Sequence, residues 1–338
     1  MNDLPPAGAP IDPPGITVVP SGFMLLDKPP GLTSHGVVYA VRKALGLKRG
    51  GGDSRVGHLG TLDPNATGLL VMVLGGAGRA LEFFSPQDKR YDVTVEFGLT
   101  SDTDDIWGVP APRPLPAFPS REAVEAVLKS EFLGERDQLP PAISAVQVDG
   151  KRAHRAARAG KPLTMKPRRV TLRSCTVTRY APPEIDLALE TSSGYYVRSL
   201  ARDLGAHFGG GAVVKALRRT AVGPWKIDAA RPLTAIAADG IIPFFDVLMA
   251  RTPADLAGAP HGPQVIRAVN AELGERIAKG LAVEMGCERP QGSVWAVHKG
   301  TVLAFLLPFG ETHWKPKKVF LSVEEYRAKV SMKSDVAL

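Results

Sequence analysis

"GHLGTLDPNATGLLVMVL", residues 57–74, runs a glycine-punctuated turn into "LLVMVL", an apolar stretch that none in the chain exceeds. A short apolar run bounded by turn residues reads as a strand, here beginning at Leu69. One carboxylate, Asp63, stands ahead of it among His58, Gly57, Gly60, Gly68 and Pro64. Asp-Pro-Asn is a common turn sequence, with Asp first and Pro second. A residue before proline is also pushed out of the α region, which biases Asp63 towards extended backbone. Two readings stay open: a plain turn residue, or a carboxylate that a rigid loop at a sheet edge aims into a cleft.

The surrounding segments supply a sheet and its helices. "YDVTVEFG" (91–98) alternates, with Tyr91, Val93, Val95 and Phe97 on one face, and predicts a half-buried strand. "EIDLALET" (184–191) predicts another. "TSHGVVYAVRKALG" (33–46) predicts a helix that Thr33 or Ser34 caps, with Val37, Val38, Val41 and Leu45 as its apolar stripe and Gly46 as its stop. "SREAVEAVLKSEF" (120–132) predicts a helix capped by Ser120. In "SGYYVRSLARDLGAHFGGG" (193–211) Val197, Leu200, Ala201, Leu204 and Phe208 fit one stripe, ended by the glycines. After "MARTPADLAGAPHGP" (249–263) the pattern changes to short strands with glycine turns, as in "AKGLAVEMG" and "SVWAVHKGTVLAFLLPFG".

A length of 338 residues suits two domains, or one large domain with an appendage, and 44% hydrophobic residues suffice for a core. Two distant cysteines, Cys175 and Cys287, argue against a disulfide scaffold or a zinc site and suit a reducing cytosol. No run reaches the roughly 18–20 apolar residues of a membrane helix. The first twenty residues hold six prolines and no Lys or Arg, so they read as a disordered tail rather than a secretory signal or presequence. The formal net charge is +8, and the stretch from Gly150 to Val170 carries eight Lys or Arg and no acid. That run is either a solvated face or a nucleic-acid contact surface. The wider segment 137–162 reads as an inserted excursion.

A carboxylate needs a partner to stay ionised in a cleft. Arg198, in the first turn of its helix and off the apolar stripe, is a candidate; the plainer expectation is an exposed arginine beside Tyr195 and Tyr196. Tyr91 is either a core tyrosine or a platform on which a base stacks. There is no GxxxxGK[ST] loop, no HExxH and no Cys/His cluster, so no motif points to a nucleotide or metal cofactor.

"LDKPPGLTSHGVV" (26–38), "VGHLGTLDPNATGLL" (56–70), "KRYDVTVEFGLTSDTDDIWG" (89–108), "QLPPAISAVQVDGKRAHRAARAG" (138–160) and "SSGYYVRSLARDLG" with "ALRRTAVGPW" (192–205, 216–225) stand in the order of the TruB-type tRNA pseudouridine synthases, which the chain resembles. The resemblance implies an α/β (α+β) catalytic domain over 22–252, its central sheet mixed, mostly antiparallel and flanked by helices. A small β-rich PUA-like RNA-binding domain over 260–325 would follow, then a tail over 326–338. It implies a cytoplasmic isomerase, monomeric and with no obligate protein partner, that converts a uridine in the T loop of tRNA (position 55) without cofactor or metal. Asp63 would be catalytic. Tyr91 would stack on the base and help remove the C5 proton, Arg198 would pair with Asp63, Tyr196 would line the pocket and Leu217 would pack on the base. His58 would support the T loop once the uridine has left its stack. Lys151, Arg152, Arg155 and Arg158 would grip the RNA from the inserted loop.

The chain departs from the family pattern at Leu59, where Thr is usual, at Ile143 and His154, where Tyr is usual, and at Gln147, where Lys is usual. The rival reading is a non-catalytic RNA-binding or RNA-folding factor on the same scaffold, which the retained Asp63, Tyr91 and Arg198 disfavour. A relative modifying other RNAs, some of them guide-selected, is a second rival.

Overall fold

A computed structural model describes residues 21–47, 55–84, 87–144, 147–148, 151–152, 164–251, 264–285 and 292–331, with backbone alone at 147–148 and 151–152. The N-terminal tail, Arg155, Arg158 and most of the expected excursion lie outside the described residues. The chain is built on one large sheet whose main strands are β1 (Gly22–Lys28), β2 (Val56–His58), β3 (Thr67–Leu74), β4 (Lys89–Phe97), β5 (Gly134–Gln138), β6 (Arg168–Ala181), β7 (Glu184–Thr191) and β8 (Ala212–Val222). Their order is β1-β3-β8-β4-β7-β6-β5, with β2 beside β3. All pairings among these strands are antiparallel except β3 with β8. The mixed, mostly antiparallel sheet implied by the resemblance is therefore present.

The apolar run is not at an edge. β3 pairs with β1 along one side and with β8 and β2 along the other. Its composition requires this place. Leu70, Met72 and Leu74 enter one core, while Leu69, Val71 and Val73 enter another on the opposite face. A strand apolar on both faces must be covered on both. By contrast β4 turns Tyr91, Val93, Val95 and Phe97 inward and leaves Asp92 exposed, as its alternation predicts.

Helix α1 (Ser34–Ala44) covers the first core with Val37, Val38 and Val41. The Gly36 N–H donates to Thr33 Oγ1 at 2.9 Å, so Thr33 is the cap. Helix α2 (Arg121–Val127) is capped by Ser120. It ends earlier than expected: Leu128–Phe132 widens into a π turn, closed by Leu133 N–H donating to Leu128 O, with Leu128 and Phe132 both buried. Helix α3 (Val197–His207) buries Val197, Leu200, Ala201 and Leu204. The second core continues through α4 (Phe244–Met249) into the C-terminal unit.

That unit is β-rich and PUA-like. Strands β9 (Gln264–Ala268), β10 (Val283–Glu284), β11 (Ser293–His298), β12 (Thr301–Phe309) and β13 (His313–Val319) form a sheet in the order β9-β11-β12-β13-β10. Two helices correct the sequence reading. Helix α5 (Ala271–Ala278) occupies residues expected to lie among strands, because Asn270 accepts from Leu273 N–H as a cap and Ile277 is buried one turn later. Helix α6 (Val323–Ser331) replaces a tail expected from residue 326. Its Tyr326 is buried, with the hydroxyl 2.7 Å from His298 Nδ1 and donating to Ala271 O.

Trp295 joins the two sheets. It stacks on Phe320 with centroids 5.7 Å apart and meets Phe83 and Phe305 edge-on at 4.9 Å each. Each such pair adds about 0.5–1.5 kcal/mol beyond area burial. Phe23 and Val71 of the large sheet share this core, so the C-terminal unit supports the strands that carry the Asp63 loop. Among the described residues no helix is long and apolar enough to cross a membrane.

Candidate active site

The loop between β2 and β3 is a turn, as its sequence predicts: Ala66 N–H donates to Asp63 O at 3.2 Å. It is also held by three buried polar side chains. Ser34 Oγ donates to Leu62 O and accepts from Leu62 N–H, at 3.0 and 2.9 Å. Lys28, with no exposed surface, donates from Nζ to Pro64 O at 2.8 Å and to Pro29 O at 2.9 Å. Arg219, equally buried, donates to Gly60 O at 3.0 Å, to Thr61 O at 3.3 Å and to Leu69 O at 2.8 Å. Gly60 has φ +87° and Gly68 φ +98°. A Cβ on Gly68 would sit 2.3 Å from Arg219 O, so only glycine lets β3 and β8 come together here.

With its backbone fixed, Asp63 presents its carboxylate to a cavity of about 400 Å³. Arg198 forms a two-point pair with it: Nε to Oδ2 at 2.8 Å and Nη2 to Oδ1 at 3.1 Å. The arginine is not the exposed residue that charge alone suggests. It is 5% exposed, and its Nη1 donates to Thr103 O at 2.7 Å and Ile143 O at 3.1 Å. Two carbonyls hold the guanidinium, and its carboxylate partner, Asp63, faces the cavity with a side chain 39% exposed.

Tyr91, Tyr196 and Leu217 line the same cavity. Burial pushes the Tyr91 phenol above its usual range, while the Arg219 guanidinium beside it pulls the other way. Burial raises Tyr196 as well. Gln138 fixes its backbone, donating to Tyr196 O at 3.0 Å and accepting from Tyr196 N–H at 2.8 Å. Of the sequence-predicted residues, five thus converge: Asp63, Tyr91, Tyr196, Arg198 and Leu217. His58 does not line the cavity. It lies on β2, where burial lowers its pKa and Arg219 adds to the effect. Lys151 and Arg152 fall in a short antiparallel pair with Gln147 and Val148.

Sequence reasoning missed Lys28, Ser34 and Arg219. The signal for the two cations is a charge inside an apolar strand pattern, in "GFMLLDK" and "AVVKALRRTAV". Among the described residues no group of three or more His, Cys, Asp or Glu is arranged to hold a metal ion.

Lys28 yields a pH test. Burial lowers its pKa from 10.5 to about 8, with Asp63 opposing and Arg219 reinforcing the fall. Between those two values the unfolded chain binds more protons than the folded one, so this group makes stability rise with pH there, by at most about 1.4 kcal/mol per unit. The penalty builds as pH falls through that window and is complete below the folded pKa. Lys28→Met is expected to flatten that rise. Urea midpoints of both proteins at about pH 8 and about pH 9.5 measure it. An equal rise in the two would show that Lys28 is not the titrating group.

The chain matches the family model "TruB family pseudouridylate synthase (N terminal domain)" over residues 42–197. It is 38% identical over 286 residues to the tRNA pseudouridine synthase B of Thermobifida fusca (strain YX), covering 82% of this chain and 93% of that one. With the protein of the same name from Synechococcus sp. (strain WH7803) it shares 36% over 305 residues, 89% and 98% of the two chains. A chain in a crystal structure of a Cbf5-Nop10-Gar1 complex superposes with a TM-score of 0.61 over 92% of this chain and 88% of that one; at 23% identity this is a likeness of fold. The two relatives are matched over nearly their whole length, and the chain belongs to the TruB family of pseudouridylate synthases, which makes it an isomerase.

Proposed function

We propose that this enzyme isomerises uridine to pseudouridine in the T loop of tRNA, at position 55, with Asp63 as the essential group and the target base flipped into the cavity. The observation that carries the reading is the two-point Arg198–Asp63 pair at the wall of a pocket lined by Tyr91, Tyr196 and Leu217. Two relatives that align over nearly all their length bear the name tRNA pseudouridine synthase B, which supports the substrate. The reaction breaks the bond from N1 to the ribose C1′. The uracil turns and C5 bonds to the same carbon, after which C5 loses its proton and N1 holds one. Asp63 supplies the negative charge the step needs, and Arg198 holds that carboxylate in place through its two-point pair. Tyr91 stacks on the base and takes part in removing the C5 proton.

Entry of the base costs a few kcal/mol of unstacking, least for a nucleotide already in a loop. Lys89 lines the pocket and offers a cation to a phosphate, while Lys28 and Arg219 are fully buried and hold the loop from behind. His58 supports the loop from β2. Lys151, Arg152, Arg155 and Arg158 grip the T loop, and the C-terminal unit from about residue 260 adds an RNA-binding surface.

The test is direct. Purified protein is expected to convert the uridine of a T-stem-loop hairpin with no added metal or nucleotide, read as pseudouridine by mass spectrometry. Loss of all activity in EDTA, restored by zinc or magnesium with the RNA fold unchanged, would refute the cofactor-free mechanism. Failure to modify any tRNA would refute the substrate.

A further inference from the structure

Of the four tryptophans, three are buried: Trp225, Trp295 and Trp314. Trp107 is 63% exposed. Its ring makes no aromatic, cation–π or side-chain hydrogen-bond contact among the described residues. Yet its backbone is firmly placed. Trp107 N–H donates to Asp105 Oδ1 at 3.0 Å, Val109 N–H to Asp102 Oδ1 at 2.7 Å, and Ile106 N–H to Val214 O at 3.0 Å. Asp104 turns the chain with φ +58°. A large ring left in water on an immobilised loop has no role in the core.

Its location gives it one. A small cavity behind the catalytic carboxylate is lined by Asp63, Asn65, Arg198, Leu217 and Trp107. Beyond it a groove of about 510 Å³ opens between Trp107, Asn65, Thr67, Leu217 and Arg218. Leu217 lines all three spaces, so the groove leads away from the uridine pocket past Trp107. The cations on the groove are already engaged, Lys215 with Glu184 and Glu96, Arg218 with Asp27. Stacking, rather than free charge, is what this wall offers. An RNA strand that inserts one base into the pocket must continue out of it on both sides, and its neighbouring base is freed from its own stack.

We propose that Trp107 is a stacking platform for a base of the substrate RNA adjacent to the target uridine, and that the groove beside it receives that nucleotide. The proposal rests on the reading of the enzyme as one that acts on a flipped uridine. A largely exposed Trp face on a backbone held by hydrogen bonds gains base–aromatic stacking.

The experiment uses the full chain and a T-stem-loop hairpin, with single abasic substitutions at each nucleotide flanking the target. In the free protein, Trp107 is the tryptophan open to acrylamide quenching, and bound hairpin is expected to shield it. Trp107→Ala is expected to weaken hairpin binding by roughly 5- to 150-fold, the equivalent of about 1–3 kcal/mol of stacking, with Trp107→Phe keeping most of the affinity. One abasic hairpin should bind wild type as weakly as Trp107→Ala binds the intact one, and the two losses should not add. Equal affinity of Trp107→Ala and wild type, or unshielded Trp107 in the complex, would overturn the platform while conversion by wild type left the function standing. A wild type that neither binds nor converts any hairpin would overturn both. Quenching and the abasic series need no variant, so they decide the matter even where Trp107→Ala folds poorly.

Discussion

Asp63→Asn is expected to remove turnover, by on the order of ten-thousandfold or more, while the hairpin still binds. The side chain keeps its shape and loses its charge. The bond that closes the turn runs between backbone atoms, Ala66 N–H to Asp63 O, and does not depend on the carboxylate. Arg198 keeps its bonds to Thr103 O and Ile143 O. It loses its carboxylate partner, which costs stability, but the Asp63 side chain is 39% exposed and water screens the change. A loss of about 1–2 kcal/mol is expected, below the cost of breaking a fully buried pair. Binding should change little, because phosphate contacts and stacking carry the affinity. Single-turnover assays at saturating hairpin, run beside a binding titration and a melting curve, separate the outcomes. Near-normal conversion would leave Asp63 as a turn residue and no more.

Asp63 stands in the turn its sequence predicts and also lines a cavity, and this shows what one-dimensional patterns carry. Proline after Asp63 specifies the turn, and the structure has it. Periodicity specifies α1, β4, β7 and the buried stripe of α3, because each depends on neighbours within a few residues. What was not legible depends on partners far along the chain. Arg198 sits 135 residues from Asp63, and charge alone sends an arginine to the surface. Arg219 lies about 150 residues from the carbonyls it holds. The placement of β3 inside the sheet needed a partner strand, β8, that follows it by some 150 residues. Helix α5 escaped notice because eight residues give too few turns for a clear period, and α6 because its only buried residue, Tyr326, shows no stripe. The family resemblance located the aspartate and its arginine. The side chains that hold the loop from behind came from the structure.

Those side chains set the second large expected effect. Arg219→Met is expected to lower both stability and turnover, and to do so separably. The guanidinium is fully buried and satisfies three carbonyls, at Gly60, Thr61 and Leu69, while lying beside the Tyr91 phenol. Methionine fills much of the volume and satisfies none of them. Stranding several buried polar groups costs about 3–5 kcal/mol, which for a chain of this size lowers the melting temperature by on the order of 10 °C. Lysine keeps the charge but not the planar fork that spans three acceptors, so Arg219→Lys should recover only part of the loss. Turnover should fall even well below the variant's melting temperature. Gly60 and Thr61 immediately precede the Asp63 turn, so freeing them lets the carboxylate wander from Arg198. Losing the guanidinium also removes what pulls the Tyr91 phenol down, so any alkaline limb in the rate moves to higher pH. Hairpin affinity should stay near wild type, since the residue has no exposed surface to offer RNA. Melting curves and single-turnover pH profiles of wild type, Arg219→Met and Arg219→Lys distinguish this from simple packing. Packing alone would give a destabilised enzyme whose rate and pH profile, measured while folded, match wild type.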